Sequence, residues 1–598
     1  MNYRSDIQIL RGIAVLLVVL FHLGFSSLKS GFLGVDVFFV ISGFLMAVLY
    51  DEDNKSGFYL RRARRLLPPY YVVILFTLIA SFLFTTMNEA SQVINQTIYA
   101  TAFASNIGFW MEASYFSKSH FNPLLHLWSL GVEIQFYIIV PIIFWLLKKS
   151  KINYFLIMSM SFILCLVVVG ISPKTSFFMM PLRLWEFLIG YGAAYYFTNN
   201  GSLKFYKYNW LGLFGLTFLL MIPFISVDGD ALSALYGHPG ILALLVSLAT
   251  ASVLVFGLPS IVEKFMISKL LERLGKYSYS IYLIHFPVIV IYLSEPFSGT
   301  KLGADSFVDG LIISVLIIIA SMLLYYFIES RKFKYSVRKL VIIPSIVLMG
   351  VILVLLFAQN IYIPKGEQLI FEASTDRSTY RCGKLIRVIE PRAISCDLTS
   401  EINSPNQKIM LVGNSHADSI KEALRETSIE HQTKVFFIVQ NTPLMKNGIT
   451  PEKIIEDAVS KKIDKLILHF KSHSISNEVL QNFIELAKFE GIKVYFIEPV
   501  PMWKHHIPSG MYSLMVNNED KIGVMTKADY LEENLEQIKY IREIDDENFT
   551  SLPIVDLFCK PTCEYSTNKG VPLYFDTDHL TITGSKRIND VFEVILKN

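Results

Sequence analysis

Apolar runs long enough to cross a bilayer recur along the first 358 residues, and a different alternation takes over after them. A spanning helix needs about 17–25 residues. Eleven runs approach that length: 8–25, 33–50, 69–86, 131–148, 153–171, 179–197, 209–226, 240–257, 278–293, 308–327 and 339–358. The stretch 95–112 is diluted by Asn95, Gln96, Thr97, Asn106 and Glu112 and is not read as a full crossing. Beyond residue 358, KIMLVG (408–413), KVFFIV (434–439), DKLILHF (464–470), KVYFIEPV (493–500) and LPIVDL (552–557) predict short buried strands. Helical stretches lie between and after them at 416–426, 452–460, 475–489, 527–545 and 582–597. Apolar strands alternating with helices predict a parallel sheet covered on both faces. The expected fold is a polytopic all-α membrane bundle followed by an α/β/α domain. Residues 1–330 carry ten helices, 331–358 the eleventh, 359–407 a linker, and 408–598 the sheet.

Loop charge orients the bundle. Lys and Arg crowd alternate loops: Arg61, Arg62, Arg64 and Arg65; Lys148, Lys149 and Lys151; Lys204 and Lys207; Lys269, Arg273 and Lys276; then Arg331, Lys332, Lys334, Arg338 and Lys339. The intervening loops hold few, among them Lys118, Lys174 and Lys301. Positive loops stay cytoplasmic, so the N-terminus is expected inside, and eleven crossings put residues 359–598 outside. A twelfth crossing at 95–112 would break the alternation for every later loop. No signal-peptide cleavage pattern precedes the first run, which is therefore expected to remain as a span.

Composition agrees with this division. The chain has 598 residues, 53% of them hydrophobic, and its net charge of +3 gives no reason to expect a nucleic-acid partner. Cys165 falls in an apolar run, whereas Cys382, Cys396, Cys559 and Cys563 all lie in the polar C-terminal part. Local closure favours the pairs Cys382–Cys396 and Cys559–Cys563, and disulfides suit an oxidising exterior such as a periplasm. Zinc is the rival reading, but these clusters lack a second C-x-x-C or nearby His ligands.

Ionisable groups inside the apolar runs carry the candidate chemistry, because such groups are costly in a bilayer and face a protein-lined or wet interior. Arg11 and His22 share the first run and lie about 16 Å apart along a helix axis. Asp36, His126, Glu133, Arg183 and Glu186 are expected at the outer mouth with His22, and His285 about mid-span. Arg62, Arg65 and Glu329 are expected at the inner mouth with Arg11. Arginine clusters of this kind suit phosphate oxygens, to which a guanidinium offers two parallel donors.

These residues occur within GVDVFFVISGF, an RRxxRL segment followed by Pro and Tyr, LLHLWSLGVEIQFY, RLWEFLIG and YSYSIYLIHFP. Taken in order from about residue 5 to residue 330, the set resembles the membrane acyltransferase-3 family. The resemblance implies transfer of an acyl group, usually acetyl, from cytosolic acetyl-CoA to a carbohydrate outside. It further implies that His22 is an essential base-like residue and Arg11 its essential partner. Arg62 and Arg65, with Arg61 beside them, would contact the CoA donor. Imidazole titrates near neutral pH, as a base or acyl carrier requires, and Glu133 is expected to orient His22.

In the C-terminal part, Gly413-Asn414-Ser415-His416 follows the first predicted strand, where open α/β sheets place their sites. Asp576-Thr577-Asp578-His579-Leu580 precedes the last helix. A Ser after strand one with a late Asp-x-x-His supplies nucleophile, base and orienting carboxylate. The arrangement resembles the SGNH hydrolase family in the form fused to acyltransferase-3 domains. That resemblance assigns Ser415 as nucleophile, His579 as base and Asp576 as its partner, with Asp578 as a competing carboxylate awkwardly adjacent to His579. The motif reads GNSH where GDSH is commoner. The oxyanion hole is unassigned; Asn441 and the backbone N–H of Ser415 are candidates.

The expected function is a membrane O-acetyltransferase moving acetyl from acetyl-CoA to a cell-surface polysaccharide or its lipid-linked precursor. The expected home is a bacterial inner membrane with a periplasmic C-terminal domain, no metal, and lipopolysaccharide O-antigen as first acceptor. Peptidoglycan or exopolysaccharide are the alternatives, as is a transporter-like bundle with an attached carbohydrate esterase.

Overall fold

A computed structural model describes residues 4–112, 120–199, 208–229, 231–379, 381–383, 386, 390, 392–445 and 448–597. Lys118, Lys204 and Lys207 of the loop-charge pattern lie outside the described residues. The chain forms two compact units, Met1–Ile361 and Tyr362–Asn598.

The first unit is helical. Among the described residues, eight helices are long and apolar enough to cross a membrane: Ser5–His22, Gly31–Leu49, Lys55–Phe84, Leu127–Lys149, Lys151–Val169, Met266–Tyr292, Phe307–Glu329 and Val337–Ala358. The other three predicted spans are the helices Met180–Asn199, Asn209–Met221 and Ile241–Phe256. The stretch 95–112 is broken between the helices Met87–Thr101 and Ser105–Met111. The longer of these has 15 residues and rises only about 22 Å, short of a hydrocarbon core of about 30 Å. Large apolar side chains such as Ile152, Phe155, Phe307 and Phe357 stand exposed on the outer faces, as lipid-facing positions do.

Two glycines bring the first helix against Met266–Tyr292. A Cβ on Gly12 would lie 2.0 Å from the Leu271 carbonyl oxygen, and one on Gly275 would lie 1.9 Å from that of Gln8. Small residues let membrane helices approach backbone to backbone. This contact lays the Arg11–His22 face along Ser278–His285.

The second unit contains a six-stranded sheet in the order β1-β3-β2-β4-β5-β6. Its strands are β1 (Ser395–Asp397), β2 (Gln407–Gly413), β3 (Thr433–Ile438), β4 (Lys465–His469), β5 (Lys493–Ile497) and β6 (Phe549–Leu552). All neighbours pair in parallel except β1 with β3, which is antiparallel, so the sheet is mixed. β1 lies within the stretch read as a linker. The last strand is Phe549–Leu552 rather than 552–557; Pro553 follows it without an N–H to give the ladder, and Val555–Phe558 is a helical turn. Apolar side chains of β2, β4 and β5 fill cores on both sheet faces. The cysteines pair as Cys382–Cys396 and Cys559–Cys563, which excludes the zinc reading of those four residues.

Candidate active sites

In the helical unit, Arg11, Arg62 and Arg65 line one pocket together with Ser42, Glu133, Tyr137 and Tyr282. Arg61 is exposed and is not part of that lining. The Glu133 carboxylate accepts hydrogen bonds from Ser42 and Tyr137. Glu133 therefore belongs to the arginine pocket, which corrects its expected place beside His22. Seven residues from His126 carry it about 10 Å further along its helix.

The group beside His22 is His285, whose Nε2 stands 3.2 Å from His22 Nδ1. His285 is thus level with His22 rather than set apart from it at mid-span, and its neighbours fix the tautomers of the pair. Its Nδ1 lies 2.7 Å from the Tyr282 carbonyl, which can only accept, so Nδ1 carries the proton. In a neutral ring Nε2 then holds the lone pair, His22 Nδ1 donates to it, and the lone pair of His22 is left on Nε2. Tyr282 joins this pair to the arginine pocket, since its ring also lines that pocket and its hydroxyl donates to the His126 carbonyl at 2.9 Å. A line of polar groups therefore runs from Arg11 to His22 through Tyr282 and His285.

A second buried cluster has a different composition. Arg183 donates to Asp36 at 2.9 Å and lies 3.2 Å from both Glu186 and His238 Nε2. All four side chains are at most 2% exposed. The sequence flagged three of them separately, but nothing in their spacing predicted their pairing or the presence of His238.

In the second unit, β2 ends at Gly413 and Ser415 begins the helix Ser415–Glu430. Only glycine passes β4 at this point, because a Cβ would lie 1.9 Å from the His469 carbonyl oxygen. Asn414 caps the helix, accepting from His416 N–H at 3.1 Å. Ser415 is thereby held outside the carboxyl end of the central strand. The Ser415 hydroxyl is 2.7 Å from His579 Nε2, and His579 Nδ1 is 2.7 Å from Asp576 Oδ2. Asp576 Oδ1 also accepts the backbone N–H groups of Asp578 and His579, which fixes the turn.

Asp578 is closer to this line than its adjacency to His579 implied. Its Oδ1 is 3.2 Å from His579 Nδ1, while its Oδ2 is 2.5 Å from Lys471 Nζ and 3.5 Å from His416 Nε2. Burial pulls the His579 imidazolium down, but the hydrogen bonds and charges of Asp576 and Asp578 outweigh it and push the pKa up to about 9. Burial would raise both carboxyls. Hydrogen bonds from His579 hold Asp576 low, and the His416 ring beside it, with hydrogen bonds from His579 and Lys471, holds Asp578 well below the usual carboxylate range. Asn441 accepts from Arg381 at its side-chain oxygen, which leaves its Nδ2 and the Ser415 N–H at the helix start as the two candidate oxyanion donors.

A family described as an acyltransferase domain matches residues 4–326, more than half of the chain, and one described as an SGNH domain fused to AT3 domains matches 387–594. The chain belongs to the acyltransferase-3 family. Relatives of this acyltransferase-3 protein include a Staphylococcus aureus (strain MSSA476) protein named for O-acetyltransferase activity. It is 30% identical over 77% of this chain and 82% of its own. The O-acetyltransferase OatA of Staphylococcus aureus strain MRSA252 is 28% identical over 61% of this chain and 64% of its own. The periplasmic domain of a Salmonella ser. Paratyphi A lipopolysaccharide acetyltransferase aligns with 33% of this chain and 85% of its own, at 15% identity and a TM-score of 0.26. This acyltransferase-3 protein is thus a membrane O-acetyltransferase of the type that carries an SGNH domain.

Proposed function

We propose that the protein takes acetyl from cytosolic acetyl-CoA and transfers it to hydroxyls of a cell-surface carbohydrate, with Ser415 as acyl carrier. The observation that carries this reading is the unbroken line Ser415–His579–Asp576, with both contacts at 2.7 Å. Ser415 Oγ bonds to the acetyl carbonyl carbon while His579 Nε2 takes its proton. The bond to the donor breaks, and the leaving group receives that proton. A sugar hydroxyl then attacks the acetyl-serine as His579 Nε2 takes its proton, and His579 passes that proton to Ser415 Oγ as the acetyl–Oγ bond breaks. The Ser415 N–H stabilises the oxyanion in each half.

In the membrane unit, Arg11, Arg62 and Arg65 provide three guanidinium groups for the phosphates of the CoA donor. His22 Nε2, the lone-pair nitrogen at the other end of the Tyr282–His285 line, is the base or acyl carrier there. This scheme requires the N-terminus and the arginine pocket to face the cytosol and residues 359–598 to face the periplasm, as the loop charges predict. Lipopolysaccharide O-antigen is the acceptor we propose first, and peptidoglycan is the second to test. The experiment is mass spectrometry of surface glycans from cells with the wild-type chain, Ser415→Ala, or neither. Loss of O-acetyl groups in Ser415→Ala is expected. Unchanged acetylation in that variant contradicts the relay, and acetyl groups that increase when the gene is removed make the outer unit an esterase.

A further inference from the structure

His416 is fully buried beside the catalytic serine, yet neither of its ring nitrogens makes a hydrogen bond among the described residues. A buried imidazole with no hydrogen bond, whose one charged contact among the described residues is a carboxylate at 3.5 Å, calls for a physical reason. Its Nε2 points to the carboxylate of Asp578 at 3.5 Å, too long for a full hydrogen bond. On the other side of that carboxylate stands His579 Nδ1, 3.2 Å from Oδ1. The ligand atoms of the three residues all lie within 4.8 Å of one another. Tetrahedral zinc with imidazole and carboxylate ligands at about 2.0–2.2 Å separates its ligands by about 3.3 Å. Each imidazole nitrogen is near that distance from its own oxygen of Asp578, at 3.2 and 3.5 Å, and both imidazoles and the carboxylate are ligand types zinc prefers.

We propose that His416, Asp578 and His579 form an inhibitory site for a divalent ion of the zinc class. The inference rests on the reading of His579 as base to Ser415. Coordination at His579 Nδ1 displaces the proton there to solvent and breaks the hydrogen bond to Asp576. The remaining ring proton stays on Nε2, so that nitrogen becomes a donor and has no lone pair for the Ser415 hydroxyl. The metal therefore locks the imidazole in the tautomer that cannot act as base. A water or the acceptor hydroxyl completes the fourth position. The ion competes with Lys471, whose ammonium is 2.5 Å from Asp578 and whose side chain is half exposed and able to swing away. His469 beside His416 and Asp576 beside His579 are the other titratable neighbours, with His506 and Arg377 acting on Asp576, and none of them supplies a ligand atom to the cluster.

The test uses the full chain in lipid nanodiscs, with p-nitrophenyl acetate hydrolysis and the ligand-field spectrum of added Co²⁺ as two readouts. Zinc is expected to inhibit hydrolysis reversibly, with recovery on chelation, and Co²⁺ to give a tetrahedral spectrum. His416→Gln is expected to raise the half-inhibiting zinc concentration about a hundredfold and abolish that spectrum, because a ligand is lost. Lys471→Met, which removes the competing cation, is expected to lower the half-inhibiting concentration. Equal inhibition of His416→Gln and the wild type overturns the proposal, as does a Co²⁺ spectrum that stays octahedral. The cobalt spectrum reads the site whether or not Ser415 turns over, so failure of the site is distinguishable from failure of the Ser415 mechanism.

Discussion

Replacing Asp578 by Asn removes one of the two carboxylates that hold His579 charged while keeping the size of the side chain. With the His579 pKa at about 9, only about one hundredth of the imidazole is neutral at pH 7. A general base must be neutral to accept the serine proton, so acylation of Ser415 rises with pH through about 9 and flattens above it. An opposite charge within about 4–6 Å supports the charged form by about 1–3 pH units. Asp578 stands at 3.2 Å but shares its charge with Lys471 and His416. Its removal is therefore expected to lower the midpoint by about 1–2 pH units, into the range of about 7–8. The neutral fraction at pH 7 then rises about tenfold or more. Stopped-flow measurement of the p-nitrophenyl acetate burst, from about pH 5.5 to about pH 10, gives the midpoint directly. Lys471→Met moves the same midpoint the other way, since it leaves Asp578 less neutralised. A midpoint unchanged in Asp578→Asn, or a loss of activity equal at every pH, refutes this role for the second carboxylate.

Other substitutions separate the remaining parts of the account. His285→Ala removes the partner that sets the His22 tautomer and is expected to cut acetyl-CoA-dependent glycan acetylation about a hundredfold. The p-nitrophenyl acetate burst at Ser415 should be untouched, and a parallel loss of that burst would mean general misfolding. Arg183→Met leaves Asp36 and Glu186 buried without their cation and is expected to destabilise the helical unit by about 3–5 kcal/mol, read as a lower unfolding temperature in detergent. Cys382→Ser opens a loop of 14 residues and is expected to cost about 2–3 kcal/mol, measured by urea unfolding against the disulfide-bonded wild type under non-reducing conditions.

How far each element was legible follows from how local its cause is. Ser415 and His579 are far apart in sequence but could be paired, because the end of a parallel strand and the start of the last helix meet at a fixed place in such sheets. β1 was not legible: Ser395–Asp397 is three residues long, half-polar and held by an antiparallel edge contact with β3. The parallel edge strand β6 was hidden because Thr550 and Ser551 make it half-polar, while Ile554 and Val555 just beyond it read as strand and form a turn. His285 was misplaced because hydropathy begins the span at 278, whereas the helix runs from Met266 to Tyr292. Its register against the first helix is set by Gly12 and Gly275, and that register puts it on His22. The positions of Glu133 with Arg11 and of Asp578 with His416 are products of tertiary packing, to which sequence spacing gives no access.

In the proposed reaction, acetyl travels from CoA through the membrane unit to Ser415. Its most direct test is intact-protein and peptide mass spectrometry of the purified full chain in nanodiscs, given isotopically labelled acetyl-CoA and no acceptor, then quenched in acid. A labelled acetyl group is expected on Ser415 in the wild type and none in His22→Ala, which should still be acetylated on Ser415 by p-nitrophenyl acetate. Label on Ser415 in His22→Ala, or full glycan acetylation with Ser415 never labelled, would contradict it.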